Sequence, residues 1–525
     1  MTHPKLVDAM SRPEFYPHGP SSVEVIQTHI SFIFIAGDYV YKVKKAVDFG
    51  FLDFTTLEKR KFYCGEELRL NRRLAPEFYL EVVEISEDKN GKIAMGPGGK
   101  IIDYAVKMKR LPEDRMLKGL LLEGKVDLPD MERVARRVSD FHRQADTGGR
   151  IDENGGLHVI RKNQDENFEQ TGKYIGMTIP EEQYRFIQSF INDFMDGNRS
   201  LFERRVKGHR IRDCHGDLHI EHICLADGIV IFDCIEFNER FRFGDVAAEV
   251  AFLAMDLDFN GYPDHARAFV DAYVRFSGDR ELAKLLNFYR TYYAYVRGKV
   301  ISFRLDDRAI ETKGRKEAKD LASRYFDLAY TYAARPERKT LILTAGLMGT
   351  GKSVLASRLA ARFDADIIRM DVVRKEMLDI APTEHRYEDF GKGIYSEDVS
   401  RKAYDRALEA AALKLREGKS VIIDASFKNR TQRRRAAQIA AELQSDFFIL
   451  ECALPDRLIT KRLAARMSEK GEVSDGRMDI LEAQKRDFER IDEVPARSHI
   501  VIDTSADPER CAHRVLVEIK KSLKP

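Results

Sequence analysis

Two short stretches of this chain combine residue types and spacings that chemistry could use. The first is Gly346-Leu347-Met348-Gly349-Thr350-Gly351-Lys352-Ser353, which reads G-x-x-x-x-G-K-S. An apolar run, 341–345, precedes it and a helical pattern, 354–363, follows. Strand, loop and helix in that order are what a phosphate-binding loop requires. Gly346, Gly349 and Gly351 let the backbone curl until its N–H groups face phosphate oxygens, and the helix N-terminus adds partial positive charge. In that arrangement Lys352 reaches the β- and γ-phosphates and the Ser353 hydroxyl holds Mg²⁺. The second stretch is His215-Gly216-Asp217-Leu218-His219-Ile220-Glu221-His222, followed by the apolar run 229–232 and Asp233. Loop aspartates often do no more than cap turns. The chemical alternative is a base, Asp217, paired with a metal-holding acid, Asp233.

The elements that must position these groups can be read on both sides. Before residue 215, segments 23–28, 32–36 and 39–44 have strand character, with Gly37-Asp38 as the hairpin turn between the last two. In 40–44 apolar and long polar side chains alternate, so Lys42 and Lys44 share a face. Taken alone, lysines on a strand suggest a solvated edge. A helix over 55–74 starts at Thr55 or Thr56, carries Glu66 and Glu67, and ends before Pro76. Strands at 79–85 and 101–108 complete a mostly antiparallel sheet. Helices are expected over 129–145 and 181–205. After residue 245, helical patterns cover 246–259, 265–276, 280–303 and 312–333. Asp245 reads as an N-cap. The tyrosines of 288–295 at helical spacing read as core and rim.

This half resembles the aminoglycoside phosphotransferase and choline kinase family, a branch of the protein-kinase-like fold. The resemblance rests on His215-x-Asp217 and the strand leading to Asp233, and runs over about 23–334. It implies an α+β domain, with an antiparallel sheet lobe and a helical lobe. It also implies Asp217 as base for an acceptor hydroxyl and Asp233 as the main Mg²⁺ ligand. Lys42 would contact the ATP phosphates with Glu67 as its helix partner, and Met108 begins the hinge that receives adenine. His222 stands where the family carries the asparagine that is its second metal ligand. The segment 27–31, at the nucleotide-loop position, has no glycine.

Residues 333–339 are short, polar and proline-marked, and the boundary falls there, giving domains 1–334 and 335–525. Beyond it, apolar runs at 341–345, 367–370, 420–423, 447–452 and 500–502 alternate with helices. That predicts an α/β domain with a five-stranded parallel, doubly wound sheet. Ligands of such sheets lie at the carboxyl ends of the strands. Asp371 follows the second run and Asp424 the third. Asp371 could simply be an N-cap; Arg374 three residues on is not needed for that. Arg462 and Arg466 share one helical face, and the polar run 468–476 follows them.

The order of loop, Asp-x-x-Arg and lid arginine is similar to that of small P-loop kinases, the polynucleotide 5′-kinases, gluconate kinases and zeta toxins among them. The resemblance implies that Asp371 activates an acceptor hydroxyl, Arg374 orients it, Arg462 or Arg466 neutralises developing charge, and Asp424 is the metal-side acid. The basic residues at 428–430 and 433–435 suit either an anionic acceptor, such as a nucleotide or a nucleic-acid end, or a solvated helix face.

The totals bound the rest. A chain of 525 residues is long for one core. With 43% hydrophobic and 33% charged residues and a net charge of +2, it has no global pull toward nucleic acid or membrane. Six cysteines without a C-x-x-C pair read as reduced thiols, hence a cytoplasmic protein. No signal-peptide pattern and no run of 18 apolar residues is present, so no membrane contact is expected. The expectation is a bifunctional ATP-dependent phosphotransferase that uses ATP and Mg²⁺ and acts on small-molecule hydroxyls, with a nucleotide or nucleic-acid 5′-hydroxyl as a second option for the C-terminal half. The alternative is a nucleotide-sensing regulator, with a silent kinase-like domain and a P-loop ATPase switch.

Overall fold

In a computed structural model, the structure describes residues 4–307, 310–336, 338–363, 365–380, 393–466 and 481–523. The chain divides into two compact units, Met1–Ala333 and Ala334–Pro525.

The first unit opens on an antiparallel sheet of β1 (Val23–Gln27), β2 (Ser31–Ala36), β3 (Tyr39–Lys44), β4 (Tyr79–Glu87), β5 (Ile93–Met95) and β6 (Lys100–Lys109), in the order β1-β2-β3-β6-β4-β5. β3 lies between β2 and β6. Lys42 and Lys44 are therefore on a central strand and buried, not on a solvated edge. They face α1 (Leu57–Asn71), whose Thr56 side chain accepts from the Lys59 amide as N-cap.

The helical lobe contains α2 (Leu128–Gln144), α3 (Leu157–Thr171), α4 (Glu181–Gly197) and α5 (Arg199–Lys207). The single helix expected over 181–205 is thus two. Asn198 leaves helical backbone at φ −119° and ψ 24°, and its side-chain amide caps the Phe194 carbonyl at 3.0 Å. Two short antiparallel pairs follow: β7 (Ile211–Asp213) with β10 (Phe243–Asp245), and β8 (Ile223–Ala226) with β9 (Gly228–Ile231). Then come α6 (Val246–Phe259), α7 (Pro263–Ser277), α8 (Leu282–Phe303) and α9 (Thr312–Ala334). α6 is buried almost throughout.

The second unit is a five-stranded, wholly parallel sheet of β11 (Thr340–Ala345), β12 (Ala365–Arg369), β13 (Ser420–Asp424), β14 (Asp446–Ala453) and β15 (His499–Asp503). Its order is β12-β13-β11-β14-β15. Helices α10 (Lys352–Phe363), α11 (Met370–Glu376), α12 (Glu397–Arg416), α13 (Arg430–Glu442), α14 (Asp456–Arg466), α15 (Leu481–Asp487) and α16 (Pro508–Leu523) connect and cover it. β11, buried at every position, is its centre. Among the described residues no helix is long and apolar enough to cross a membrane.

Candidate functional site

In the first unit, groups far apart in sequence meet around Asp233. Lys42 Nζ lies 2.6 Å from Asp233 Oδ1 and 2.9 Å from Glu67 Oε1. Lys44 Nζ takes the other Glu67 oxygen at 2.6 Å and also pairs with Glu236. Glu67 is fully buried, whereas Glu66 pairs with Arg69 on the helix surface. Burial disfavours the charge on Lys42, but Asp233 and Glu67 outweigh it and hold its pKa well above the ordinary lysine value. Burial would raise Asp233; Lys42 and His222 bring it well below the carboxylate range instead. Asp233 sits two residues beyond β9 at φ +62°, a left-handed conformation uncommon for a non-glycine residue. Its amide donates to the Tyr79 hydroxyl at 3.2 Å.

The loop before β8 brings three histidines around Asp217, and each has an assigned orientation. His215 Nε2 donates to the Phe232 carbonyl at 2.9 Å, and its Nδ1 accepts from the Asp217 amide at 3.3 Å. Burial lowers its pKa to about 4. His219 Nδ1 accepts from the Glu221 amide at 3.3 Å, which leaves the proton on Nε2, 3.6 Å from Asp217 Oδ2. His222 Nδ1 lies 2.9 Å from the Asp217 carbonyl, an acceptor only, so Nδ1 carries the proton. His222 Nε2 lies 3.6 Å from Asp233 Oδ2. Burial works to raise Asp217, but the histidines, His219 first, bring it down to about 2. The site residues read from the sequence, Lys42, Glu67, Asp217, His222 and Asp233, are thus linked through these contacts. Met108 lies in β6 opposite Val40 and Tyr79, packed against a core cluster.

Beneath this loop is a support that sequence reading missed. Glu249 of α6 accepts from the amides of His215 and Gly216 at 2.8 and 2.7 Å. It is held in turn by His142 Nε2 at 2.7 Å. Gly216 has φ +87°, and a Cβ there would lie 3.0 Å from the Phe241 carbonyl oxygen. The available signal was one acid, Glu249, inside an otherwise apolar helical turn, since a buried carboxylate needs partners. Asp245 caps α6 as expected, and Arg205 also binds it with two hydrogen bonds.

In the second unit the parallel sheet brings β11, β12 and β13 to one carboxyl edge, so the loop, Asp371 and Asp424 lie along it. Gly346 has φ +121°, and a Cβ there would lie 2.6 Å from the Cys452 carbonyl oxygen. Gly349 and Gly351 have φ +72° and +86°. Lys352 Nζ donates to the Leu347 carbonyl at 2.7 Å, closing the loop on itself, and Ser353 is half-buried in the first turn of α10. Arg462 Nη2 donates to the Thr504 carbonyl at 2.7 Å, and its Nη1 lies against Gly351. Asp371 is not an N-cap: it lies inside α11 and accepts from Arg374 at 2.9 Å. Asp424 ends β13 and accepts from the Thr344 hydroxyl at 3.2 Å. Gln484, unread in the sequence, accepts the Met348 amide at 2.8 Å. The side chain of Arg466 and the run 468–476 lie outside the described residues.

The basic run at 428–435, at the start of α13, is largely committed elsewhere. Arg433 is fully buried and binds Glu493 together with the Phe427 and Lys428 carbonyls. Lys428 pairs with Asp487, Arg430 with Asp492 and Arg435 with Asp405.

Comparison with known proteins agrees with the loop geometry. Residues 341–491 match the family model described as AAA domain. The uncharacterized protein Rv2004c of Mycobacterium tuberculosis (strain ATCC 25618 / H37Rv) is 30% identical over 483 residues, which covers 91% of this chain and 94% of that protein. The uncharacterized protein Mb2027c of Mycobacterium bovis matches to the same extent. The chain belongs to the family of these two mycobacterial proteins. Among solved structures, the amicoumacin kinase hAmiN in complex with AMP-PNP, Ca²⁺ and Ami is similar over 62% of this chain and 92% of its own, at 11% identity and a TM-score of 0.39. A gluconokinase from Sinorhizobium meliloti 1021 is similar over 36% of this chain and 94% of its own, at 15% identity and a TM-score of 0.26.

Proposed function

We propose that the protein is an ATP-dependent phosphotransferase with two separate sites, one in each unit, each moving a γ-phosphate to a hydroxyl group. The observation that carries the reading is the meeting of Lys42, Glu67, His222 and Asp233 beside Asp217 in the first unit. Its counterpart is the glycine-curled loop ending in Lys352-Ser353, within the AAA-domain match of the second.

Phosphoryl transfer asks a protein for positioning and charge neutralisation more than for covalent help. Lys42, fixed by Glu67, is placed to hold phosphate oxygens. Asp217, ionised at neutral pH, orients the acceptor hydroxyl. As the acceptor oxygen bonds to the γ-phosphorus and the bond to the bridging oxygen breaks, the electron pair leaves on ADP and the hydroxyl proton passes to Asp217. Asp233 Oδ2 and His222 Nε2 are the donors that would hold a divalent ion, which when bound neutralises phosphate charge. In the second unit the loop amides, Lys352 and Arg462 meet the phosphates. Asp371, held by Arg374, takes the acceptor proton, and Ser353 and Asp424 are the donors for a cation. The ion pairing across α13 favours a small acceptor over a nucleic-acid end.

The test is transfer from γ-labelled ATP into a pool of hydroxylated small molecules and a 5′-hydroxyl oligonucleotide. Labelled acceptor should form, and Asp217→Asn and Asp371→Asn should each remove its own unit's product, by a factor of about 10²–10⁴. ATP loss with no labelled acceptor would replace this reading by a nucleotide-driven switch.

A further inference from the structure

The cation of the first unit can be specified further, on the reading that this unit binds a nucleotide with a divalent ion. We propose that the ion is a first-row transition-metal dication, held by His222 Nε2 and Asp233 Oδ2, in preference to Mg²⁺.

The orientation of each histidine carries the inference. His215 and His219 each use Nδ1 as acceptor for a backbone amide, so their remaining nitrogens carry protons and cannot ligate. His222 is the reverse. Its Nδ1 donates to the Asp217 carbonyl, so neutral His222 presents the Nε2 lone pair. A ring nitrogen fixed through its partner nitrogen in this way is the usual arrangement of a ligating histidine. Among these three, His222 alone is set up as a ligand.

What faces that lone pair is equally specific. Asp233 divides its two oxygens: Oδ1 goes to Lys42 at 2.6 Å, and Oδ2 lies 3.6 Å from His222 Nε2. Two donors bound to one ion at about 2.1 Å, with an angle of 90–120°, lie roughly 3.0–3.7 Å apart. The observed separation fits one ion between them. It is long for a direct hydrogen bond, so the pair is not already satisfied by itself.

Chemistry then chooses the ion. Mg²⁺ prefers an all-oxygen shell, whereas imidazole nitrogen suits first-row transition metals, whose affinity rises from Mn²⁺ toward Cu²⁺. An asparagine here would offer the oxygen that Mg²⁺ takes; this chain offers nitrogen. The ring is confined against His219, with centroids 3.9 Å apart and planes tilted by 39°, and His219 is itself close to Phe252. His222 therefore has little freedom to turn away and leave a purely oxygen site.

Mn²⁺ is the probe, because it is the weakest of the series and so the strictest test. The full chain carrying Lys352→Ala and Ser353→Ala, which silence the second unit, is labelled with ¹⁵N-histidine. It is then loaded with Mn²⁺ and a non-hydrolysable ATP analogue. Pulsed electron paramagnetic resonance should show both ³¹P and ¹⁵N couplings to the manganese. The ¹⁵N coupling should persist in His219→Gln and vanish in His222→Asn with ³¹P coupling retained. Mg²⁺ should displace half the Mn²⁺ only at about tenfold excess or more, and His222→Asn should erase that margin. A ³¹P coupling without ¹⁵N coupling in the otherwise wild-type first unit overturns the choice of ion and leaves the nucleotide reading standing. No manganese–nucleotide binding at all overturns both. Should His222→Asn fail to fold, the parent spectrum, the His219→Gln spectrum and the Mg²⁺ competition still decide.

Discussion

Replacing Glu67 by glutamine tests the charge cluster on which the first site is built. The carboxylate is fully buried; it accepts from the Lys44 ammonium at 2.6 Å, and its other oxygen is ion-paired with Lys42 at 2.9 Å. A carboxamide of the same shape has one accepting oxygen, so its NH₂ must face one of the lysines. Breaking a buried ion pair from one side costs about 3–5 kcal/mol. Asp233 and Glu236 remain as partners for Lys42 and Lys44, which places Glu67→Gln near the lower end, at about 3 kcal/mol. For a unit of this size that is a fall in melting temperature of roughly 5 °C. Scanning calorimetry is the assay, because it separates the unfolding of Met1–Ala333 from that of Ala334–Pro525. The control is Glu66→Gln on the same helix. Glu66 pairs with Arg69 across one turn at the surface, so the loss should stay under about 1 kcal/mol. Nucleotide affinity of the first unit should fall with Glu67→Gln and hold with Glu66→Gln. Equal melting temperatures for the two variants would refute the claim that Glu67 anchors Lys42 and Lys44.

Four further outcomes are expected. His215 has a folded pKa of about 4 against an ordinary value of 6.5, so on acidification the unfolded chain takes this proton first. Its contribution is complete above pH 6.5 and is lost as pH falls toward 4, about 3 kcal/mol in all; unfolding of the first unit followed over that range should flatten in His215→Gln. Gly346→Ala should abolish nucleotide binding by the second unit and destabilise it by about 2–3 kcal/mol, because the added Cβ meets the Cys452 carbonyl. Gly418→Ala, at φ +85° with open space around it, should cost only about 1 kcal/mol. Arg433→Ala should cost the second unit about 3–5 kcal/mol by stranding Glu493, a loss that Arg433→Met combined with Glu493→Leu recovers in part, as urea unfolding will show.

The second unit was the more legible in sequence. Its strands are short apolar runs, the central β11 and its neighbour β13 buried on both faces, and each was found within a residue or two at its ends. The six-stranded sheet of the first unit was read without β5, whose three residues carry too little alternation to register. α3 was missed because its buried face includes Gln164 and Asn167, polar residues that blur a helical stripe. The burial of Lys42 and Lys44 could not follow from alternation within β3: it depends on β6 closing the far edge, and on Glu67, Asp233 and Glu236 arriving from elsewhere. Motif spacing singled out Asp217, Asp233 and the glycine loop. The groups that hold them, Glu249, His142, Thr504 and Gln484, sit in no motif and became visible only through their hydrogen bonds.

Isothermal titration of the full chain with a non-hydrolysable ATP analogue, in the presence of a divalent ion, addresses the two-site claim most directly. The wild type should bind two analogues per chain, Lys352→Ala should keep only the first unit's, and Lys42→Ala only the second unit's. A single binding event in the wild type, or two that survive both substitutions, would contradict it.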